Sequence, residues 1–239
     1  MKRALVTGGS GAIGAAICRR LAKDGLHVIV HGYTNRVQAD AIVASIIKDG
    51  GSAEAIIFNV ADSAAAHQSL ERLLETGPVQ VLVNNAGIHE DATMAAMSTD
   101  QWRRVIDVSL HGFFNVTQPL LLPMLRTRWG RIISMSSVAA VMGNRGQSNY
   151  AAAKAGLHGA TKSLAIEVAS RGVTVNVIAP GIIKTGMTEN VFSDEDISSI
   201  VPLKRAGTTD EVAHLVGFLV SPKAAYITGQ VIPINGGMS

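Results

Sequence analysis

Apolar residues along the chain fall into short unbroken runs, separated by longer stretches where they recur at helical spacing. Runs rich in Val, Ile and Leu at Arg3–Thr7, His27–His31, Ala53–Val60, Val79–Asn84, Arg131–Ser136, Val173–Ala179 and Gln230–Ile234 predict strands. Most lack polar alternation, as strands covered on both faces do. Between them, Ala12–Asp24, Val37–Asp49, Ala64–Glu75, Thr99–Arg126, Ala151–Ser170 and Thr209–Val220 predict helices. Gly25, Gly50-Gly51, Gly77-Pro78 and Gly172 stand where glycine ends a helix. This alternation predicts a parallel sheet of seven strands with helices on both faces, a single doubly wound α/β domain over residues 1–239. The one long irregular stretch, Gly186–Arg205, follows the sixth strand at the carboxyl edge, where such sheets bind ligands. It reads equally as a mobile substrate lid or an ordinary surface excursion.

Composition narrows the partners. Net charge is only +3 with no basic or acidic block, which points away from nucleic acid and anionic membranes. A single cysteine, Cys18, excludes an intrachain disulfide and fits a reducing compartment. The N-terminus reaches Gly8-Gly9 too soon for the apolar core of a signal peptide, and no apolar run is long enough to span a bilayer. A cytosolic location is expected.

Between the first strand and the first helix lies Val6-Thr7-Gly8-Gly9-Ser10-Gly11-Ala12-Ile13-Gly14. Glycines there let a pyrophosphate approach the helix N-terminus, whose N–H groups and dipole favour anions. Gly9-x-Gly11-x-x-Gly14 satisfies the dinucleotide fingerprint, and its place directly between strand and helix makes the signal strong. Gly8, Ser10, Gly11, Ile13 and Gly14 are the expected cofactor contacts. Strand two ends in His31-Gly32-Tyr33-Thr34-Asn35-Arg36, without the carboxylate that usually holds a ribose 2′-hydroxyl. A 2′-phosphate meets no repulsion there and pairs with Arg36, assisted by Thr34 and Asn35, so NADPH is expected over NADH. Asn84-Asn85-Ala86-Gly87 ends the fourth strand with two amides and two small residues, suited to packing beside a nucleotide or to a plain structural turn.

Tyr150 and Lys154 are four residues apart on a predicted helix and so share a face. An ammonium beside a phenol favours the phenolate and lowers the phenol pKa from about 10, giving a group able to exchange a proton near neutrality. A surface pair has the same spacing; the company of Ser137 and the glycine turn favours the catalytic reading.

Taken together, Thr7-Gly8-x-x-x-Ala12-x-Gly14, Asn84-Asn85-Ala86-Gly87, Ser137, Tyr150-x-x-x-Lys154 and Pro180-Gly181 give a chain that resembles the short-chain dehydrogenase/reductase family over essentially its full length. Within the family it is most similar to bacterial 3-oxoacyl-acyl-carrier-protein reductases. The stretches that carry this are Gly130-Arg131-Ile132-Ile133, Asn149–Gly156, Glu167–Gly172, Ala225–Gln230 and Asn235-Gly236-Gly237-Met238. The resemblance implies Tyr150 as general acid, Lys154 as holder of the nicotinamide ribose, and Ser137 as hydrogen-bond partner of the substrate carbonyl. It implies Asn59 and Val60 by the adenine, and Asn85, Ala86 and Gly87 along the cofactor, with Asn85 and Gly87 on its adenosine side. Pro180, Gly181, Ile183 and Thr185 fall toward the nicotinamide end. Ser109 stands where relatives carry an Asn that holds a relay water to Lys154; a serine hydroxyl binds water with shorter reach. Arg128 and Arg171 match basic positions near the site entrance, suited to docking an acidic acyl carrier protein. A homotetramer is implied, as is reduction of a 3-oxoacyl thioester. Reduction of an acyl-CoA, quinone, sugar or steroid-like carbonyl remains open, as does a non-catalytic NADPH-binding role.

Overall fold

The computed structural model describes residues 1–186 and 193–239. Seven strands form one wholly parallel sheet: β1 (Arg3–Val6), β2 (His27–Gly32), β3 (Ser52–Ile57), β4 (Val81–Asn84), β5 (Gly130–Met135), β6 (Val173–Pro180) and β7 (Val231–Ile234), in the order β3-β2-β1-β4-β5-β6-β7. The order reverses between β1 and β4, and the crevice there is where sheets of this kind bind ligands. β5 and β6 are buried along their whole lengths, which is why they read as continuous apolar runs.

Successive strand residues feed two cores on opposite faces. Ala4, Val6, Val28, Val30 and Ile133 pack with α1 (Ala12–Lys23), α2 (Arg36–Lys48) and α9 (Thr209–Val220). Leu5, Ile29, Leu82, Ile132 and Val175 pack with α3 (Ser63–Leu74), α5 (Gly112–Arg126) and α7 (Ser148–Val168). Cys18 lies fully buried in the first core, where desolvation pushes its thiol pKa far up and leaves it inert.

Local chemistry sets the helix starts. Asp62 caps α3 by accepting from Ala65 N–H, and Asn35 caps α2 by accepting from Gln38 N–H. Reciprocal capping boxes, Ser98 with Gln101 and Thr208 with Glu211, open α4 (Thr99–Ile106) and α9.

Three departures from the sequence reading concern the site. The stretch expected as one helix over Thr99–Arg126 is α4 and α5 joined by a π-helical segment, Asp107–His111. A short helix, α6 (Ala139–Met142), follows β5. Within the expected irregular stretch Gly186–Arg205, residues Asp194–Ile200 form helix α8, opened by a capping box between Ser193 and Asp196. The Ser-x-x-acid spacing carried that signal and was outweighed by the surrounding small polar residues. The rest of the lid reading falls mainly on residues 187–192, outside the described residues.

Candidate active site

The glycine turn between β1 and α1 is dictated by space. Gly8 has φ +62°, and a Cβ on Gly14 would strike the Gly8 carbonyl and lie 2.8 Å from Gly9 Cα. With Gly11 as N-cap, α1 has no side-chain cap, so its first N–H groups face the crevice free to meet an anion.

Three side chains that were not expected at the site, those of Thr7, His31 and Asn149, brace it. Thr7 Oγ1 accepts from the N–H groups of Asn85 and Ala86 at 2.9 and 3.0 Å, bolting β1 to the end of β4. Asn85 returns its side-chain amide to the carbonyls of Thr7 and Gly8, at 3.0 and 3.1 Å. His31, at the end of β2, accepts the Gly8 N–H on Nδ1 at 3.0 Å. Its proton therefore sits on Nε2, which donates to the Phe58 carbonyl at 3.0 Å. Burial lowers the His31 pKa to about 4 and keeps the ring neutral. Asn149, fully buried one residue before Tyr150, donates to the carbonyls of Glu90 and Gln101 and accepts the Tyr150 N–H at 2.7 Å. Its signal was an amide beside the tyrosine.

At the far end of the crevice, Ser10 Oγ lies 3.6 Å from where a Gly32 Cβ would stand, so the glycine turn and the tip of β2 meet. Thr34 and Arg36 are exposed beside them. Asn35 spends its side-chain oxygen on the α2 cap. Arg36 forms an exposed ion pair with Asp40, Nε to Oδ2 at 3.4 Å, an i,i+4 contact one helical turn on. Asn59 turns its side-chain oxygen to the Ala61 N–H, and Val60 is buried with its carbonyl taken by Asn115.

At the chemical end, Ser137 follows β5 and hydrogen-bonds the Tyr150 phenol. Lys154, one turn along α7, is buried and donates from Nζ to the Met135 carbonyl at 2.8 Å. Its ammonium lies 5.7 Å from the Tyr150 ring centre. Burial lowers the Lys154 pKa to about 8. Burial also raises the Tyr150 pKa above its ordinary value, against the Ser137 hydrogen bond, and the nearby Asp91 carboxylate adds to the rise. In the free protein the direction is thus set by burial rather than by Lys154. Desolvation dominates, and the ammonium is aimed at a backbone carbonyl.

Two further positions differ from expectation. Gly87, expected on the adenosine side, lies against Lys154: a Cβ there would stand 2.9 Å from Nζ and 3.5 Å from Ser109 Oγ. Asn85, assigned to the same side, spends its amide on the glycine turn. Ser109 is buried in the π-helical segment, and its Oγ has no hydrogen-bond partner among the described residues. Such segments are frequent at functional sites. Pro180 and Gly181 close β6, their backbones tied to Val138 N–H and the Ile234 carbonyl. The Ile183 side chain packs in the first core, and Thr185 lies just beyond it.

Arg128 and Arg171 are not at the mouth of this chain's site. Each lies two residues before the start of a strand, β5 or β6, where Gly130 pairs with Val173. In a parallel sheet that edge is opposite the carboxyl ends bearing Ser137 and Tyr150. The α7 helix, roughly 30 Å long at 1.5 Å per residue, separates Arg171 from Tyr150.

An uncapped helix N-terminus, a glycine cradle, a cation at the tip of β2 and a buried lysine beside a serine and a tyrosine fit a nicotinamide dinucleotide with its reactive ring toward Tyr150. Comparison with known proteins agrees. The family model described as enoyl-(acyl carrier protein) reductase matches residues 8–239. A 3-oxoacyl-[acyl-carrier-protein] reductase from Synechocystis sp. is 48% identical over 237 residues, 98% of this chain and 96% of that one. Proteins of the same name from Staphylococcus epidermidis and Aggregatibacter actinomycetemcomitans are 45% and 41% identical, each covering at least 98% of both chains.

Proposed function

The chain belongs to the short-chain dehydrogenase/reductase family, and on that premise we propose that it reduces the 3-keto group of an acyl thioester held on an acyl carrier protein, using NADPH. The observation that carries the reading is the meeting of Ser137, Tyr150 and Lys154 at the carboxyl edge of the sheet, beside the glycine turn.

When bound, the nicotinamide supplies the hydride. The Ser137 and Tyr150 hydroxyls lie within hydrogen-bond reach of each other and stabilise negative charge growing on a carbonyl oxygen placed between them. Tyr150, kept protonated by burial, delivers the proton to that oxygen. Lys154 is buried as a potential cation and favours anionic or hydroxyl partners at the ribose end. Ser109, with its buried unpartnered hydroxyl near the same lysine, is suited to hold a water on the path by which the proton is replaced. Gly8, Ser10, Gly11, Ile13 and Gly14 hold the pyrophosphate end. Thr34, Asn35 and Arg36 hold a 2′-phosphate, Asn59 and Val60 flank the adenine, and Pro180, Gly181, Ile183 and Thr185 border the nicotinamide.

A homotetramer accounts for two otherwise unexplained features. Phe114 and Leu122 on α5, Ile166 on α7 and Tyr226 near the C-terminus are large apolar side chains left in solvent by the single chain. Antiparallel packing of α7 against its copy also brings Arg128 and Arg171 of one protomer toward the Tyr150 end of another, which restores them to a role in carrier docking.

The test compares NADPH oxidation with a 3-oxoacyl carrier protein, the matching coenzyme A thioester and a 2-enoyl carrier protein. Fast turnover of the first supports the reading. Equal rates with the free thioester remove the carrier as partner. Activity only on the enoyl substrate overturns ketone reduction. Among the described residues no helix is long and apolar enough to cross a membrane.

A further inference from the structure

Three consecutive residues at the end of β5 reach across to α7. The Met135 carbonyl accepts from Lys154 Nζ at 2.8 Å. The Ser137 hydroxyl meets the Tyr150 phenol. Between them stands Ser136, buried, whose Oγ donates to the main-chain carbonyl of Lys154 at 3.1 Å and lies 2.7 Å from His158 Nε2. Tyr150, Lys154 and His158 follow one another at four-residue intervals and share a face of α7. A serine hydroxyl has one proton, and the Lys154 carbonyl takes it. The imidazole is therefore the donor, with its proton on Nε2 and Ser136 Oγ accepting. His158 is half-buried, and burial together with the neighbouring Lys162 lowers its pKa, which favours the neutral ring.

From this arrangement we infer that Ser136 and His158 are positioning residues: their hydrogen bonds fix the end of β5 against α7 and so set the distances among Ser137, Tyr150 and Lys154. The inference rests on the proposed ketone reduction and deepens it.

The face that β5 turns to α7 explains the need for a polar clamp. Residues two apart on a strand share a face, so Ile132, Ser134 and Ser136 lie on the same side. Ile132 packs in one core with Ala165 and Val168 of α7. Toward the site that face changes to serine, and Ser134 Oγ has no hydrogen-bond partner among the described residues. Apolar packing thus serves the far half of α7, and Ser136 with His158 supplies the tie one turn from the reacting groups. The backbone is fixed in the other direction. Ser136 N–H donates to the Ile178 carbonyl and Val138 N–H to the Pro180 carbonyl, both at 2.8 Å. Those bonds hold the segment along the sheet, and the Ser136 side chain holds it across to the helix. A hydrogen bond is directional and fixes a distance, which an apolar contact does not. Ser137 is the next residue along the chain, and Lys154 itself carries the accepting carbonyl. A slip of α7 along β5 therefore displaces both reacting ends together, and misplacement by about 1 Å can cost about 10²-fold in rate.

The test is a double-mutant cycle on ketone reduction by the full-length protein, with thermal unfolding measured alongside. Ser136→Ala and His158→Leu should each lower kcat by about 10- to 100-fold, with the KM for the ketone little changed and only a small fall in melting temperature. The double variant should be no slower than the slower single one, because both substitutions break the same clamp. His158→Gln, whose amide can donate to Ser136, and Ser136→Thr, which keeps the hydroxyl, should each restore most of the rate. A wild-type kcat in the folded single variants, or losses that multiply in the double variant, would show a structural contact only and overturn the inference. Failure of both conservative variants to restore the rate counts equally against it. If one single variant does not fold, the other decides in the same sense together with its conservative partner. A wild-type protein that reduces no ketone defeats the parent reading instead, which separates the two failures.

Discussion

His31 makes stability depend on pH between its ordinary pKa and its lowered one in the folded protein. Its ring is buried, neutral in the folded protein, and committed at both nitrogens to Gly8 N–H and the Phe58 carbonyl. Its pKa falls from an ordinary 6.5 to about 4. Between those values the unfolded chain binds a proton that the folded chain refuses. Stability is therefore complete above pH 6.5 and is lost as pH falls toward 4. Each pH unit in the window is worth about 1.4 kcal/mol, so the full loss is about 3 kcal/mol, a large part of a typical domain's stability. The carboxylates with lowered pKa, Glu54, Asp196 and Glu211, lose their contributions only at lower pH. His158, also lowered, adds a slope of the same sign. The comparison variant is His31→Gln, whose amide can accept from Gly8 and donate to Phe58 without titrating. Urea unfolding of both proteins at matched concentration, at half-unit steps from pH 7.5 to 4.5, isolates the His31 share because His158 is common to both. Wild type should lose about 3 kcal/mol more than the variant across this range. Parallel curves would refute the assignment of a neutral, doubly bonded imidazole.

Three other substitutions probe the site. Tyr150→Phe should cut kcat by ~10²–10⁴-fold, the usual contribution of a positioned general acid, while NADPH titrated by fluorescence binds as in wild type. Arg36→Ala should raise the KM for NADPH about tenfold, or about 1.4 kcal/mol, with little change for NADH; Asp40→Asn, which releases Arg36 from its ion pair, should lower it. Ser109→Ala removes a buried hydroxyl that has no hydrogen-bond partner among the described residues and should leave thermal stability unchanged or slightly raised. A fall in kcat in that stable variant identifies the hydroxyl as part of the proton path, and an unchanged kcat removes it.

What could be read in the sequence was whatever is written locally. The strand-helix alternation, the glycine turn and the Tyr150–Lys154 spacing each depend on residues within a few positions of one another, and the fold follows from the first. The supports of the site depend on strand order instead. Thr7 reaches Asn85, and Gly8 reaches His31, only because β1 lies between β2 and β4. No periodicity in the chain announces that neighbourhood. Arg128 and Arg171 show the same limit from the other side. Their match to basic positions in relatives carries no information about which end of a strand they occupy, whereas the Gly130–Val173 register puts both at the edge opposite Tyr150. The phenol pKa is the sharpest case. An i,i+4 spacing guarantees that Tyr150 and Lys154 share a helix face, but the sign of the shift depends on how deeply each is buried and on what the ammonium is bonded to. Here the carbonyl of Met135, from a neighbouring strand, takes the ammonium, and burial of the phenol outweighs its hydrogen bond to Ser137. The proton therefore rests on Tyr150 in the free protein, which is the state a general acid for carbonyl reduction requires at the start of a turnover.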